Sequence, residues 1–124
     1  MRLLLDTHVV LWWLADDPAL PEDLAAILEI EPEIYISAAT VWEVGIKQAL
    51  GKLDGPADLP ELVRDSEFHV LSITANHAIE AARLPLIHRD PFDRILIAQA
   101  KHEGLRLVTR DSVIPRYDVP LLGV

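Results

Sequence analysis

The sequence contains no cysteine, which excludes disulfide bonds and thiolate metal sites. No apolar run comes near the roughly 20 residues that a membrane span needs. The apolar start at residues 1–5 is interrupted by Asp6 too early for a secretory leader, and no small-residue cleavage site follows. We therefore expect a cytoplasmic protein, a location with which the absence of cysteine is compatible.

Sequence signals for several common chemistries are missing as well. There is no glycine-rich loop that would cradle a phosphate, and the five histidines do not have the spacing of a zinc site. Ser37 and Ser112 lack a convincing histidine partner that would make either of them a nucleophile. These absences argue against a P-loop nucleotidase, a zinc enzyme and a serine hydrolase.

Basic residues are few, since 11 Lys and Arg stand against 20 Asp and Glu and give a net charge of −9. Such a charge argues against non-specific binding to a polyanion. The charge is unevenly distributed, because the segment from Arg83 to Arg116 carries seven bases and four acids. This segment is either a face that binds an anionic ligand or an ordinary solvated surface.

The length of 124 residues suits one domain that spans residues 1–124 and is long enough to bury a core. Apolar residues make up 51% of the chain and charged residues 25%, which is typical of a globular protein. No internal repeat or domain boundary is visible.

Short apolar runs alternate with helical patterns along the chain. Strands are predicted at 3–5, 34–36, 68–71 and 105–109, with an edge strand within 119–124. Alternation of this kind predicts βαβ units and therefore an α/β fold with a mostly parallel sheet. Helices are predicted just after the first strand and at 22–28, 38–50, 59–67, 75–83 and 91–103.

Two of these helices have well-formed ends in the sequence. Ser37 is a good N-cap for the helix that begins at residue 38, and Gly51 follows its end. Asp90 and Pro91 fit the N-cap and the first position of the last helix, so we interpret Asp90 as a cap rather than a ligand. The middle of that helix is almost continuously apolar, which predicts that it is buried.

Four acids are expected to meet at one edge of the sheet. Asp6 follows the first strand directly and Asp111 follows the strand at 105–109, whereas Glu43 and Asp93 lie near the starts of helices at the same edge. Carboxylates that converge in a low dielectric cannot all be ionised without a cation. Mg²⁺ or Mn²⁺ suits carboxylate oxygens, and one or two such ions can activate a water for attack on a phosphodiester.

Each acid also has a purely structural interpretation. Asp6 can cap the helix that follows it, and Asp93 can interact with the dipole of its own helix. Asp111 can be a turn residue. Glu43 can pair with Lys47 one helical turn later, which is worth only about 0.2–0.5 kcal/mol. The joint placement of the acids favours the functional interpretation.

Four segments of the chain resemble the motifs of the PIN domain, and in particular of the VapC-type toxins of bacterial and archaeal toxin–antitoxin pairs. The segments are Leu3–His8, Ser37–Glu43, His88–Ala100 and Leu107–Asp111. They cover nearly the whole chain in order and spacing. The most specific piece is Asp90–Arg94, with the sequence Asp-Pro-Phe-Asp-Arg.

The resemblance implies a three-layer α/β/α sandwich and a Mg²⁺- or Mn²⁺-dependent endoribonuclease that cuts structured or messenger RNA. By motif, Asp6, Glu43 and Asp93 match the three core acids of the family, and Asp111 matches a more variable fourth acid. Proteins of this kind usually form homodimers and are held inactive by a cognate antitoxin.

Other residues carry weaker implications. Thr7 and Thr109 match flanking hydroxyl positions that can hydrogen-bond the acids or a metal-bound water. The strongly acidic overall charge is unusual for a protein that binds RNA, so RNA affinity would depend on local bases. These bases are Arg89, Arg94, Arg110 and Arg116.

Two other classes of function remain open. The first is a catalytically silent PIN-fold protein that acts only in binding or regulation, against which the presence of all four acids argues. The second is a phosphoryl-transfer domain with an aspartate at a strand end. In that class the Asp-x-Asp pair of the related phosphatases is replaced here by Asp6-Thr7-His8.

Overall fold

The centre of the structure, a computed structural model that describes residues 1–124, is one sheet of five strands. The strands pair in the order β3-β2-β1-β4-β5, and every pairing is parallel. The predicted α/β class is confirmed, and the sheet is parallel throughout rather than mostly parallel. The strands are β1 (Arg2–Leu5), β2 (Glu33–Ser37), β3 (His69–Leu71), β4 (Arg106–Thr109) and β5 (Leu121–Gly123).

Six helices connect or flank these strands, and their positions agree closely with those predicted from the sequence. A short 3₁₀ helix at Ile114–Arg116 was not predicted. None of the helices is long and apolar enough to cross a membrane. The helices are α1 (Thr7–Leu14), α2 (Glu22–Ile30), α3 (Ala38–Ala49), α4 (Leu59–Asp65), α5 (Ala75–Arg83) and α6 (Pro91–Glu103).

The predicted helix ends are confirmed by their hydrogen bonds. The Ser37 hydroxyl accepts from the backbone N–H of Ala39 at 3.0 Å, at the start of α3. The Asp90 carboxylate accepts from the N–H of Phe92 at 2.8 Å, at the start of α6. At the other end of α6, Gly104 adopts a φ of 68°, a left-handed conformation that favours glycine.

The core is divided between the two faces of the sheet because successive strand residues point to opposite sides. Leu3 and Leu5 of β1 pack with residues of α1 to α4, whereas Leu4 packs with Leu96 and Ile97 of α6. Helices therefore cover both faces, and α5 packs against α6. This arrangement is the three-layer sandwich that the resemblance implied.

The strand order places a topological switch point between β1 and β4. The chain adds β2 and β3 on one side of β1 and then returns to its other side to form β4. Just beyond the end of β1, the N–H of Asp6 donates to the carbonyl of Val108 in β4 at 3.0 Å. Ligands of open parallel sheets bind in the crevice at such a point.

Candidate functional site

Asp6 lies at the switch point and is only 4% exposed. One of its oxygens accepts from the N–H of Val9 at 3.0 Å and caps α1, while the other accepts from the Thr109 hydroxyl. Burial raises the pKa of Asp6, although the hydrogen bonds from Thr109 and Val9 oppose this effect. The structural and the functional interpretations of Asp6 are thus compatible, because capping α1 uses only one of the several lone pairs of the carboxylate.

Glu43 is a buried acid in the second turn of α3, and both of its oxygens have partners. The Thr7 hydroxyl donates to one oxygen at 2.7 Å, and the Lys47 ammonium donates to the other at 2.8 Å. Thr40 lies 3.1 Å from the Thr7 hydroxyl and extends this network. The Glu43–Lys47 pair proposed as an alternative is present, but it holds a carboxylate that is itself buried.

Asp93 in the first turn of α6 and Asp111 after β4 are joined by a histidine. The Nε2 atom of His88 lies 2.9 Å from an oxygen of Asp93 and 3.3 Å from an oxygen of Asp111. One ligand atom of each of these three residues lies within 4.8 Å of the others. Two acids from different parts of the fold therefore face the same small space.

Asp111 also serves as a turn residue, as the alternative interpretation expected. Its other oxygen accepts from the backbone N–H groups of Val113 at 2.7 Å and Ile114 at 3.1 Å. Burial disfavours the charge of Asp111, but these backbone hydrogen bonds and the contact with His88 outweigh it. The pKa of Asp111 consequently lies below its ordinary value.

The acids are close enough to repel one another. Burial and the neighbouring charges of Asp90, Asp111 and Asp6 raise the pKa of Asp93 to about 7, against a weaker opposing effect of His88. A divalent cation relieves repulsion of this kind, and the donors offered here are the hard carboxylate oxygens that such ions prefer. The donor set therefore fits the cation that the sequence predicted.

An open cleft of about 220 Å³ adjoins two of the acids. It is lined by Asp6, His8, Trp12, Arg110 and Asp111. A larger hollow of about 420 Å³ beside α5 and α6 has none of the four acids in its lining. We place the candidate site at the smaller cleft because the acids and the switch point coincide there.

Three of the four arginines on which RNA affinity was predicted to depend differ in their surroundings. Arg89 is exposed and has no hydrogen-bonded or ionic partner. Arg110 is also exposed, stacks 4.4 Å from the centre of the Trp12 ring, and donates to the carbonyl of Ala19. Arg94 is half-buried, and we do not expect it to contact RNA because backbone carbonyls occupy its donors. These carbonyls belong to Ala81, Leu84, Pro85 and His88.

Sequence reasoning gave no role to His88 beyond its place in a motif. Its contacts with Asp93 and Asp111 depend on how the segment before α6 lies against the turn after β4, which no spacing reveals. The only local signal was a histidine two residues before a helix cap. Thr40 was missed for a similar reason, since its partner Thr7 lies in another helix.

Replacing Asp93 with asparagine is expected to stabilise the cation-free protein at pH 8. The raised pKa, about 7, means that the folded state holds this proton more tightly than the unfolded state. Stability therefore falls as the pH rises from about 4 to about 7. The variant has no such proton to lose, so its Tm at pH 8 should exceed that of the wild type by roughly 4 °C or more. Thermal unfolding in EDTA measures this, and a lower Tm for the variant would contradict it.

Comparison with known proteins shows the family. The family model described as PIN domain matches residues 3–120. Ribonuclease VapC22 of Mycobacterium tuberculosis (strain ATCC 25618 / H37Rv) is 32% identical over 117 residues, which cover 88% of this chain and 86% of that protein.

Solved structures show the same fold at lower sequence identity. VapBC2 from Rickettsia felis, bound to a DNA fragment from its promoter, matches with a TM-score of 0.71 and 16% identity over 99% of this chain and 98% of that one. A toxin–antitoxin complex from Klebsiella pneumoniae matches with a TM-score of 0.68 and 19% identity over 98% and 96%. On the evidence of the family model and the curated relative, the chain belongs to the PIN domain family.

Proposed function

We propose that this protein is a Mg²⁺- or Mn²⁺-dependent endoribonuclease. The observation that carries the proposal is the place of Asp111, which lines the cleft at the switch point with Asp6 and faces Asp93 across His88, with Glu43 on the adjoining helix. The relationship to ribonuclease VapC22 over most of the chain supports RNA as the substrate. A binding protein without catalysis would have no need to keep these buried charges together.

In this proposal the four acids hold the cation, and the threonines fix the acids. The Thr109 hydroxyl holds one oxygen of Asp6, and the Thr7 hydroxyl holds one oxygen of Glu43. A bound divalent cation supplies the charge that lowers the pKa of a water and offsets the charge developing on the phosphate. Burial of Asp6 strengthens the electrostatic interactions within the site.

The reaction is a hydrolysis with a simple balance. The water oxygen bonds to phosphorus and the bond from phosphorus to the 3′-oxygen breaks. The water loses a proton, and the departing 3′-oxygen gains one. The products are an RNA fragment that ends in a 3′-hydroxyl and another that begins with a 5′-phosphate.

Binding of RNA rests on a few local bases in an otherwise acidic protein. Arg89 and Arg110 are exposed, and Arg110 lines the cleft beside Asp6. Their guanidinium groups suit phosphate oxygens. Because the net charge is −9, we expect RNA affinity to be modest and to fall as the salt concentration rises.

The proposal extends to partners. We take the protein to be the toxin of a type II toxin–antitoxin pair, acting in the cytoplasm as a homodimer and inhibited by a cognate antitoxin. The similarity in fold to a toxin–antitoxin complex from Klebsiella pneumoniae supports this role. Co-expression with the product of the neighbouring reading frame should relieve any growth arrest that the protein causes alone.

Cleavage of RNA by the purified protein should require a divalent cation. We expect cutting in millimolar Mg²⁺ or Mn²⁺ and none in EDTA, because the acids repel one another without a cation and the proposed mechanism takes its activated water from the cation. The assay uses a mixed cellular RNA followed by sequencing of the cut sites. Absence of cutting with either ion would favour the catalytically silent alternative.

A further inference from the structure

His88 lies between two of the proposed cation ligands, Asp93 and Asp111. The hydrogen bonds of its ring indicate which ring nitrogen carries a proton. Its Nδ1 atom lies 3.2 Å from the backbone nitrogen of Asp90, which donates its N–H to it. A neutral imidazole whose Nδ1 accepts a hydrogen bond carries its proton on Nε2. That Nε2–H donates to an oxygen of Asp111 at 3.3 Å, and the Nε2 atom lies 2.9 Å from an oxygen of Asp93.

The segment that carries His88 is held by groups outside the site. The buried hydroxyl of Tyr117 accepts from the N–H groups of Ile87 at 3.2 Å and His88 at 2.6 Å, and it donates to the carbonyl of Pro85 at 2.8 Å. Arg94 donates to the carbonyl of His88 at 3.3 Å. The position of the imidazole is therefore fixed by hydrogen bonds to the backbone on either side of it.

Asp93 and Asp111 need such a partner because they belong to different elements and repel each other. Asp93 is carried by α6, whereas Asp111 belongs to the turn after β4. The Nε2–H of His88 is a donor placed between their facing oxygens. Neither ring nitrogen has a free lone pair, since Nε2 carries a proton and Nδ1 accepts from Asp90.

We infer that His88 is a positioning residue of the cation site, which holds the carboxylates of Asp93 and Asp111 at a fixed separation. Its Nε2–H donates to Asp111, and the same nitrogen lies 2.9 Å from an oxygen of Asp93. His88 does this without coordinating the ion itself. Groups that orient ligating carboxylates in this way typically change metal affinity by ~10–100-fold when they are removed. The inference rests on the proposed function, because it takes the two acids to be ligands.

Three substitutions separate the donor at Nε2 from the acceptor at Nδ1. In His88→Gln the side-chain NH₂ occupies the place of Nε2 and keeps a donor. In His88→Asn the side-chain oxygen occupies the place of Nδ1 and keeps only the acceptor for Asp90, and His88→Ala removes both. The control is His69→Ala, which removes an exposed histidine of β3.

The readout is the affinity for Mn²⁺ alone, measured by calorimetry or by the EPR signal of free Mn²⁺, with thermal unfolding to verify that each variant is folded. We expect His88→Asn and His88→Ala to bind Mn²⁺ ~10–100-fold more weakly than the wild type. His88→Gln and His69→Ala should stay close to the wild type. Unchanged or tighter binding by His88→Asn, or binding by His88→Gln as weak as by His88→Ala, would overturn the inference.

A second readout uses the cation-free wild-type protein and no variant. The ¹⁵N chemical shifts of the His88 ring should show a proton on Nε2. A ring that carries its proton on Nδ1 alone would overturn the inference, because Nε2 would then be free to act as a ligand.

The positioning role of His88 and the proposed function can be disproved separately. If the wild type binds Mn²⁺ and cuts RNA while His88→Asn binds the ion equally well, only the positioning role is lost. If the wild type itself binds no Mn²⁺ at millimolar concentration, the proposed function fails. The tautomer of His88 is measurable in either case.

Discussion

Replacing Asp6 with asparagine is expected to abolish cation-dependent RNA cleavage while leaving the protein folded. Asparagine caps helices about as well as aspartate, so its oxygen can still accept from the N–H of Val9. Its amide can also still meet the Thr109 hydroxyl. What the variant loses is the negative charge at the switch point.

The expected loss of activity is large because a ligand to the cation contributes directly to charge stabilisation. A loss of about 3 kcal/mol corresponds to a rate lower by roughly 100-fold. The measurement is the initial rate of cleavage of one RNA substrate at saturating Mn²⁺, together with Tm. Asp93→Asn should give a similar loss of rate.

A matched control for this substitution is Asp65→Asn. Asp65 is an exposed acid at the end of α4 and is far from the switch point in the fold, and it has no hydrogen-bonded or ionic partner. The Asp65→Asn substitution changes the net charge by the same amount as Asp6→Asn. Full activity in Asp6→Asn, or an equal loss in Asp65→Asn, would show that the acids of the candidate site do not carry the reaction.

The second large effect concerns stability, and it comes from Arg94. We expect Arg94→Lys to lower the free energy of unfolding by about 2–3 kcal/mol, because several carbonyls lose their donor. The Arg94 guanidinium donates to the carbonyls of Ala81 at 2.7 Å and of Leu84 and Pro85 at 2.9 Å. A lysine has the same charge but a single ammonium group, which cannot donate to all of these carbonyls at once.

For a domain of this size the expected decrease in Tm is roughly 8–12 °C. Arg89→Lys is the matched control, because Arg89 is exposed and unpaired and its replacement should leave Tm almost unchanged. If Arg94→Lys were as stable as the wild type and bound RNA more weakly, we would conclude that Arg94 contacts the substrate, as its motif suggested.

Arg94 also illustrates where sequence reasoning stops. Its position after Asp93 in a specific motif suggested a base that meets RNA. Its actual acceptors lie between residues 81 and 88, and they approach the guanidinium only after α5 and α6 have packed together. A tertiary contact of this kind leaves no periodic signal in the sequence.

The acids at the sheet edge were predictable because they depend on local rules. Asp6 follows a short buried strand directly, and Asp90 with Pro91 marks the start of α6. In a parallel sheet these local facts suffice to place Asp6 and Asp93 at the same edge. The details that remained hidden are pairings between distant elements, such as Thr109 with Asp6 and His88 with Asp111.

Several alternatives that competed in the sequence are present together in the structure. Asp6 caps α1 and also lies at the switch point, and Asp111 is a turn residue that also faces His88. This is possible because a carboxylate has two oxygens with several lone pairs. The lone pairs that these structural hydrogen bonds do not use remain available to a ligand.

The central claim is that a cation held by these acids activates a water to cut RNA, and the chemistry of the cut ends tests it most directly. Histidines such as His8 and His88 lie close to the acids and would, in a different mechanism, drive attack by the RNA's own 2′-hydroxyl. Attack by a cation-activated water should give 5′-phosphate and 3′-hydroxyl ends that form only with Mg²⁺ or Mn²⁺. Ends that carry a 2′,3′-cyclic phosphate, or cleavage that persists in EDTA, would contradict it.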